Sequence, residues 1–362
     1  MKDLNLIANV SYTGYGQVGF NILKELSKKE WNVSLFQKGR HNRTSPKEIK
    51  WIHFAEGRAE YFEYEAPCVS VWHQFDLAHR VGNGKYIAWP IFELDTFNEK
   101  ERHHLNYPDE LIVCSEWAKQ VCESNSIDVD KIHVVPLGID PNIFSSALYK
   151  QREKKDKTVF INAGKWEIRK GHDLLCGIFN KAFKETDNVE LWMMPYTPLI
   201  SKEEMAEWIT MYMNSPLGRA NKIKIFNWQQ SSENVAEIMS NADCGVFLGR
   251  GEGFNLEALE LLALGKHLII TDYSAHTEFC RKENAMLIDI DGVEPAYDGK
   301  WFFEQGNWAT IGEKQIEQCV DYMREVYEKN MRPGVYVNDE GIKTGQMYTW
   351  ENAAKKVEKI LL

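Results

Sequence analysis

The sequence predicts an α/β fold with two Rossmann-like, doubly wound domains that face each other across a cleft. Three observations lead to this prediction. Short apolar runs alternate with amphipathic stretches along almost all of the 362 residues, which is typical of parallel sheets covered by helices. A glycine-rich turn follows the first apolar run. The alternation then starts again after a polar, charge-dense segment at 149–158.

The first half of the chain supplies one complete set of alternating elements. Its apolar runs predict strands at 4–10, 32–37, 68–72, 85–92, 110–115 and 131–137. Its amphipathic stretches predict helices at 17–29, 97–106 and 116–125. Ser115, directly after a strand, is a suitable N-cap for the last of these helices.

The second half repeats the alternation. Strands are predicted at 158–164, 189–195, 222–227, 244–249, 266–271 and 285–290. Helices are predicted at 171–184, 201–213, 231–241, 255–264, 311–330 and 349–361. We therefore expect one domain over 1–145, a second over 146–345 and a C-terminal helical segment over 346–362.

Composition excludes some classes of protein. The 43 basic and 53 acidic residues give a formal charge of −10, which argues against a duplex-wrapping surface. The seven cysteines are scattered without a C-x-x-C pair, so a reducing compartment is expected rather than a disulfide framework or a zinc cluster. No run of about 18 apolar residues occurs, and we expect a cytoplasmic protein without a transmembrane segment.

The turn "TGYGQVGF" carries a dinucleotide-type fingerprint. Gly14, Gly16 and Gly19 stand at the G-x-G-x-x-G spacing between a strand and a helix. A nicotinamide enzyme also needs an acidic residue about 20 positions later, but the second strand ends in "LFQKGR" without a carboxylate. The motif therefore indicates a phosphate loop for another ligand. Tyr15 and Gln17 are the side chains there that can reach a substrate.

The stretch "FLGRGEGFNLEALELLALGKHLII" at 247–270 is the most informative. A strand ends in a glycine-rich turn, and a helix begins near Asn255, so the amides of Phe254 to Leu256 offer an anion site. Glu252 and Glu260 would repel a phosphate, and carboxylates there are suited to sugar hydroxyls. The alternative is a solvated loop carboxylate and an exposed helix carboxylate.

Glu252 and Glu260 also reproduce the E-x₇-E signature of retaining glycosyltransferases of the family 4 group, which have the GT-B fold. The block "EGFNLEALELLALGKHLIITD" resembles that family's sequence, although Asn255 stands where glycine is usual. The resemblance implies that Glu260 binds the nucleotide ribose and Glu252 the transferred sugar. It implies that the turn from Gly253 through Phe254 and Asn255 to Leu256 binds the sugar and the diphosphate.

A second segment, "FINAGKWEIRKGHDLL", resembles the family's diphosphate-binding strand, loop and helix. The two basic positions fall on Lys165 and Lys170, with Arg169 beside them. Two fixed cations would offset the charge that develops on a diphosphate leaving group. The alternative is a basic loop that is only solvated.

The resemblance covers nearly the whole chain. "YTWENAAKKVEKILL" is similar to the family's final helix, which crosses back to the first domain. In the family, the first glycine-rich loop faces the cleft, which implies that Gly14 and Gly16 let the backbone approach the donor. Tyr273 lies where the family frames the nucleotide base.

The acceptor side is less defined by the sequence. Glu93 and Asp95, in "YIAWPIFELDTF", lie where many family members have a histidine near the transferred sugar. Glu93 is also compatible with a buried hydrogen-bonding role. His73, in "WHQFDLAH", is expected to line the cleft; His73, Asp76 and His79 do not share one helix face, so a metal site is not expected.

The expected activity is retaining transfer of a sugar from a nucleotide-diphosphate sugar to an acceptor hydroxyl, without a metal or other cofactor. The acceptor stays open: a small molecule, a glycan, a protein or, less in keeping with the acidic charge, DNA. Alternatives are a GT-B sugar-nucleotide epimerase or phosphorylase, a catalytically inactive binding module, and a Rossmann oxidoreductase.

Overall fold

A computed structural model describes residues 2–148, 156–195, 200–229, 231–332 and 336–362. Most of the predicted linker, at 149–155, lies outside the described residues. The chain divides into two compact units. Unit 1 comprises Met1–Gly138 and Tyr348–Leu362, and unit 2 comprises Ile139–Met347. The first segment of unit 1 ends at Gly138, where a Cβ would lie 2.1 Å from the carbonyl carbon of Thr349 in the same unit.

The strands form two six-stranded sheets and one two-stranded hairpin. They are β1 (Lys2–Ala8), β2 (Trp31–Gln37), β3 (Cys68–Val71), β4 (Tyr86–Ala88), β5 (Glu110–Val113), β6 (Ile132–Val134), β7 (Thr158–Gly164), β8 (Val189–Pro195), β9 (Ile223–Ile225), β10 (Cys244–Phe247), β11 (His267–Thr271), β12 (Met286–Ile288), β13 (Val293–Tyr297) and β14 (Phe303–Ala309).

The helices connect successive strands or follow the last ones. They are α1 (Gly14–Lys28), α2 (Pro46–Ala59), α3 (Glu99–Asn106), α4 (Glu116–Ser124), α5 (His172–Ala182), α6 (Lys202–Met213), α7 (Pro216–Arg219), α8 (Ser232–Ser240), α9 (Leu256–Ala263), α10 (Glu313–Asn330), α11 (Asp339–Met347) and α12 (Trp350–Leu361).

Unit 1 contains a six-stranded sheet in the order β2-β1-β3-β4-β5-β6. Every pairing in it is parallel. The strands read as short apolar runs because helices cover both faces of such a sheet. The C-terminal helix α12 packs on α1, and Trp31 Nε1 donates a hydrogen bond to Glu358 Oε1 at 3.1 Å.

Unit 2 contains the second parallel sheet, in the order β12-β11-β10-β7-β8-β9. Strand β7 is buried along its length except at its last residue, in keeping with a central strand. Phe160, Leu191, Val246 and Ile269 contribute one buried side chain from each of four neighbouring strands. Both sheets of the predicted α/β fold are therefore present, each doubly wound.

Some elements differ from the sequence prediction. Helix α1 begins at Gly14 rather than at residue 17, so Gly14 and Gly16, which the pattern assigned to a turn, lie in its first turn. The pattern missed helices α2 and α11 and the antiparallel hairpin β13–β14. Ser45, Pro46 and Glu48 were an available start signal for α2, since Ser-x-x-Glu with proline at the first helical position marks a helix N-terminus.

Two further findings concern the described residues. None of their helices is both long enough and apolar enough to cross a membrane. All seven cysteines are buried free thiols.

Candidate active site

The candidate site of unit 2 lies where the strand order of its sheet reverses. The sheet grows outward in one direction from β7 and in the other from β10, and these two strands are neighbours. In open parallel sheets, ligands bind at the carboxyl ends of the strands at such a switch point. The loop after β7 carries Lys165, Arg169 and Lys170, and the loop after β10 carries Glu252. The two sequence motifs are therefore neighbours in the fold.

Gly171 fixes how these two loops meet. It caps α5 with a φ of 73°, in the left-handed region that favours glycine. A Cβ at this position would lie 2.3 Å from the carbonyl oxygen of Leu248, at the end of β10. The missing side chain therefore lets the start of α5 approach the loop that carries Glu252.

The Glu252 carboxylate binds two cations. Lys170 Nζ donates to Oε1 at 2.8 Å, and Arg169 Nη1 donates to Oε2 at 3.0 Å. Glu252 is only 5% exposed. Burial alone would raise its pKa, but Lys170 and Arg169 more than offset this and lower the pKa to about 2. Glu252 is thus ionised and anchored from both oxygens.

Arg169 and Glu167 extend this network. Arg169 also donates to the carbonyl oxygen of Gly251 at 2.6 Å and to Glu167 Oε2 at 2.7 Å. Lys165 Nζ lies 3.3 Å from Glu167 Oε1, and its side chain is 37% exposed. Burial raises the pKa of Glu167, and the charges of Arg169 and Lys165 bring it down to about 2. Three cations and two carboxylates leave one net positive charge, centred on the two loops.

Arg169, which is expected to bind the donor, lies within the network of the two loops. Its side chain is 4% exposed, and it donates hydrogen bonds to Gly251, Glu252 and Glu167. Arg169 therefore positions the Glu252 carboxylate. Lys165 and Lys170 lie on the same loop and pair with Glu167 and Glu252, respectively.

A second interaction between the two loops, the pair of Arg250 and Asp173, was not predicted from the sequence. Arg250 donates to both carboxylate oxygens of Asp173, each at 2.9 Å, and also to the carbonyl oxygen of Ile168. This bidentate pair joins the loop after β10 to the start of α5. No local pattern marks it, because the partners are 77 residues apart.

His172 lies beneath the cationic loop. Its Nδ1 accepts from the Glu167 amide at 3.2 Å, so its Nε2 carries the proton and donates to Asn162 Oδ1 at 2.8 Å. Burial, aided by the charge of Lys170, lowers its pKa to about 3. The ring is a neutral packing and hydrogen-bonding element of the loop.

Helix α9 begins at Asn255, beside Glu252. Asn255 has a φ of 74°, and its Oδ1 accepts from the Ala258 amide as a helix N-cap. The left-handed backbone explains why glycine or asparagine suits this position. Gly253 and Phe254 are buried in the preceding turn, and Leu256 opens the helix, whose positive dipole end lies there.

Glu260 follows one turn into α9. Burial raises its pKa well above the ordinary value, and the neighbouring charge of Glu257 raises it further. The two glutamates of the E-x₇-E pattern therefore differ electrostatically, since Glu252 is held ionised by cations and Glu260 is not.

The turn after β11 supports Glu252 from the other side. The Glu252 amide donates to Ser274 Oγ at 2.9 Å, and the Ala275 amide donates to the Glu252 carbonyl at 3.2 Å. Ser274 is therefore occupied with positioning Glu252. Tyr273, the residue expected near a base, is half-buried beside it.

Unit 1 has its own switch point, between β1 and β3. The glycine-rich loop follows β1, and α1 begins in it at Gly14 without a side-chain cap. The three glycines differ in their surroundings. A Cβ at Gly14 would meet nothing within 4 Å, whereas one at Gly16 would lie 2.3 Å from the carbonyl oxygen of Ser11, and one at Gly19 would lie 2.1 Å from that of Asn9. The close contact of the loop with itself therefore requires glycine at position 16.

Tyr15 links the glycine-rich loop to the loops after β3 and β4. Its hydroxyl donates to the carbonyl oxygen of Ile91 at 2.5 Å, and its ring lies 4.4 Å from the ring of His73. Burial and the charge of Glu93 raise its pKa well above the ordinary value. Tyr15, His73 and Glu93 are therefore brought together. Asp95 instead accepts from its neighbour Thr96 at 3.0 Å.

A buried arginine from the loop after β2 holds the glycine-rich loop, and sequence reasoning missed it. Arg43, 3% exposed, donates from Nε to the carbonyl oxygen of Val10 at 2.7 Å and from Nη2 to that of Ser11 at 3.1 Å. It also donates to Gln17 Oε1 at 3.0 Å and to Glu48 Oε1 at 2.7 Å. Gln17, expected to reach a substrate, is thus turned to an internal partner.

The architecture and the site agree with what sequence comparison finds. Residues 157–297, which contain β7 to β13 and both loops of the unit 2 site, match the family model described as glycosyl transferases group 1. The matched region and the two doubly wound sheets define this chain as an enzyme of the glycosyltransferase class with the GT-B fold.

Particular relatives extend this comparison. A protein of Sulfolobus islandicus filamentous virus (isolate Iceland/Hveragerdi), provisionally named glycosyltransferase 45, is 21% identical over 288 residues, which cover 77% of this chain and 74% of that protein. HepE of Anabaena in complex with UDP is similar with a TM-score of 0.69 and 13% identity, covering 100% of this chain and 99% of that one. Sucrose-phosphate synthase from Thermosynechococcus elongatus gives a TM-score of 0.70 at 13% identity, covering 99% and 98%. The two solved structures establish the fold.

Proposed function

We propose that this chain is a retaining glycosyltransferase of the family 4 type, which moves a sugar from a nucleotide-diphosphate sugar to an acceptor hydroxyl. The observation that carries the proposal is one grouping in unit 2. Lys165 and Lys170, the anchored Glu252 carboxylate and the start of α9 lie together at the switch point of the sheet. The shared fold with HepE, solved in complex with UDP, supports a nucleotide-linked donor.

The cations suit a diphosphate leaving group. As the bond from the anomeric carbon to the diphosphate oxygen breaks, negative charge grows on that oxygen, and fixed cations stabilise the transition state. Lys170 has three N–H donors, of which Glu252 takes one at 2.8 Å. The remaining donors, the Lys165 ammonium and the amides at the start of α9 would bind the diphosphate.

The carboxylates suit the sugar parts of the donor. Both Glu252 oxygens already accept hydrogen bonds from cations, yet each keeps acceptor capacity for a hydroxyl of the transferred sugar. Glu260, whose pKa is raised by burial and by the charge of Glu257, would bind the ribose hydroxyls in its ionised form. Tyr273 would lie beside the base.

Retention follows if the acceptor attacks from the face that the diphosphate leaves. The acceptor oxygen then bonds to the anomeric carbon through an oxocarbenium-like state, and its proton passes to the departing diphosphate oxygen. The protein supplies positioning and charge stabilisation rather than a base. The residues of unit 1 that would contact the donor or the acceptor are Gly14, Tyr15, His73 and Glu93.

The reaction would proceed without a metal, since lysines and helix amides replace the cation that other transferases use. We expect an unchanged rate in chelator. The acceptor is not specified by the features above. Its class, whether small molecule, glycan, protein or DNA, is to be found by screening.

The test begins with a thermal-shift screen of UDP, GDP and ADP and their sugars, with and without EDTA. A binding nucleotide raises the melting temperature in proportion to the logarithm of its concentration over Kd. Transfer with the identified donor is then followed by NMR of the anomeric proton. Retained configuration in the product supports the proposal, and inversion overturns the mechanism. Consumption of donor without acceptor, or release of a sugar phosphate, would indicate an epimerase or a phosphorylase instead.

A further inference from the structure

Asn255 has a backbone conformation that suits asparagine, but its side-chain amino group has no hydrogen-bond partner among the described residues. Its Oδ1 accepts from the Ala258 amide at 3.2 Å, and this fixes the amide orientation, because the amino group could not occupy that place opposite an N–H. The Nδ2 amino group is consequently a donor, and it is buried without a hydrogen-bond partner among the described residues. The whole residue is 5% exposed.

Stability does not explain this asparagine. The φ of 74° is compatible with both glycine and asparagine, and glycine at an N-cap costs little relative to asparagine. A buried donor left unpaired costs more than a cap returns. Asparagine at this position is therefore less favourable for folding stability than glycine, unless its amino group has a polar partner.

The location indicates what that partner is. Nδ2 shares a carbon with Oδ1, so it lies at the same end of α9 as the first-turn amides and the positive end of the helix dipole. Glu252 is in the adjoining turn, and its cations Lys170 and Arg169 bind it from the loop after β7. Together with these amides and cations, the Nδ2 amino group is suited to donate a hydrogen bond to an anionic or hydroxyl oxygen of a ligand.

We infer that the Asn255 Nδ2 donates a hydrogen bond to an oxygen of the nucleotide-sugar donor, and so adds a side-chain contact that a glycine at this position cannot make. This inference rests on the proposed function. The oxygen belongs either to the diphosphate or to the transferred sugar, which share the chemistry of a hydrogen-bond acceptor.

Two substitutions test the contact. Asn255→Gly keeps the left-handed backbone and removes the donor. We expect it to raise the Kd of the nucleotide sugar about tenfold, the size of one hydrogen bond, while the melting temperature changes by less than about 2 °C. Asn255→Asp keeps the cap oxygen but replaces the donor with a charged acceptor. We expect it to weaken binding about a hundredfold, since it loses the bond and repels phosphate.

Asn98→Gly is the matched control. Asn98 caps α3 in unit 1 through the Glu101 amide at 3.0 Å, so Asn98→Gly removes an equivalent cap outside the unit 2 site and should leave the Kd unchanged. Calorimetry with the free nucleoside diphosphate and with its sugar identifies the oxygen. Weaker binding of both ligands to Asn255→Gly indicates the diphosphate, and weaker binding of the sugar form alone indicates the sugar.

Failure of the Asn255 contact can be distinguished from failure of the proposed function. Unchanged affinity of Asn255→Gly for both ligands, with a wild type that binds them, overturns the role of Asn255 and leaves the proposed function intact. A wild type that binds no nucleotide sugar overturns both.

Discussion

Lys170 and Glu252 form a buried ion pair, with Nζ 2.8 Å from Oε1, that joins the loops after two neighbouring central strands. The side chains are only 9% and 7% exposed, respectively. Burial disfavours a charged lysine, yet the adjacent Glu252 carboxylate raises the pKa of Lys170. The pair is therefore a fixed charge arrangement, available at the place where a leaving group would develop its own charge.

Replacing Lys170 tests this role. We expect Lys170→Ala to lower turnover by about two orders of magnitude, because one stabiliser of the developing charge is lost. It also leaves Glu252 with Arg169 alone, so the melting temperature should fall. Steady-state kinetics and thermal melts measure both effects. Lys181→Ala is the control, since Lys181 pairs with Glu313 on the surface of the same unit at 2.6 Å. Near-normal turnover of the Lys170 variant would contradict the assignment.

Glu260 should make nucleotide binding dependent on pH. Its folded-state pKa is raised, so it is protonated over a wider pH range than a solvated glutamate. The ionised form is the stronger hydrogen-bond acceptor for the ribose hydroxyls. Affinity should therefore rise as the pH increases through the pKa of Glu260. By linkage, this carboxyl lowers folding stability over the same rise in pH.

A pair of variants isolates the titrating group. Glu260→Gln should weaken nucleotide binding and abolish the pH dependence. Glu257→Gln removes the neighbouring charge that raises the pKa of Glu260, so it should move the binding profile to lower pH. Calorimetric titrations across a pH series measure the shift. A profile that persists in Glu260→Gln belongs to another group.

Arg43 should stabilise the glycine-rich loop of unit 1. Arg43→Met removes the hydrogen bonds to Val10 and Ser11 and leaves Glu48 without its cation. We expect a stability loss of about 3 kcal/mol, because the carbonyl oxygens of Val10 and Ser11 are left without the buried guanidinium. Faster hydrogen exchange of the loop amides should accompany it. Arg58→Met, which loses a half-exposed pair with Asp3, serves as the comparison. Equal effects of the two variants would argue against a special role for Arg43.

The backbone approach at Gly171 can be tested with alanine. Gly171→Ala places a Cβ 2.3 Å from the Leu248 carbonyl oxygen at a φ of 73°, so the two loops must separate. We expect lower thermal stability and impaired turnover. Gly177→Ala lies in the same helix, where a Cβ meets nothing within 4 Å, and should stabilise the protein by roughly 0.5–1 kcal/mol. Opposite shifts in melting temperature are the expected result.

The two sheets were predictable because their strands are short, continuously apolar and separated by amphipathic helices, as β7 and α5 illustrate. Both glycine-rich turns were equally visible, since a strand, a turn and a helix follow one another locally. Helix α2 was missed although Ser45, Pro46 and Glu48 marked its start. In the fold, Glu48 does not complete the capping box but binds Arg43 and Tyr12.

The sequence by itself determined the fold class, the positions of the two glycine-rich loops and the residue types that they carry, because these depend on local periodicity and spacing. Only the tertiary structure decided which charges meet. Arg43 reaches the glycine-rich loop from 33 positions away, and Arg169 reaches Glu252 from 83. It likewise decided that Gln17 and Arg169 turn inward while Lys165 stays half-exposed. Such pairings arise from the order of strands in a sheet, and strand order is set by long-range packing that no local pattern records.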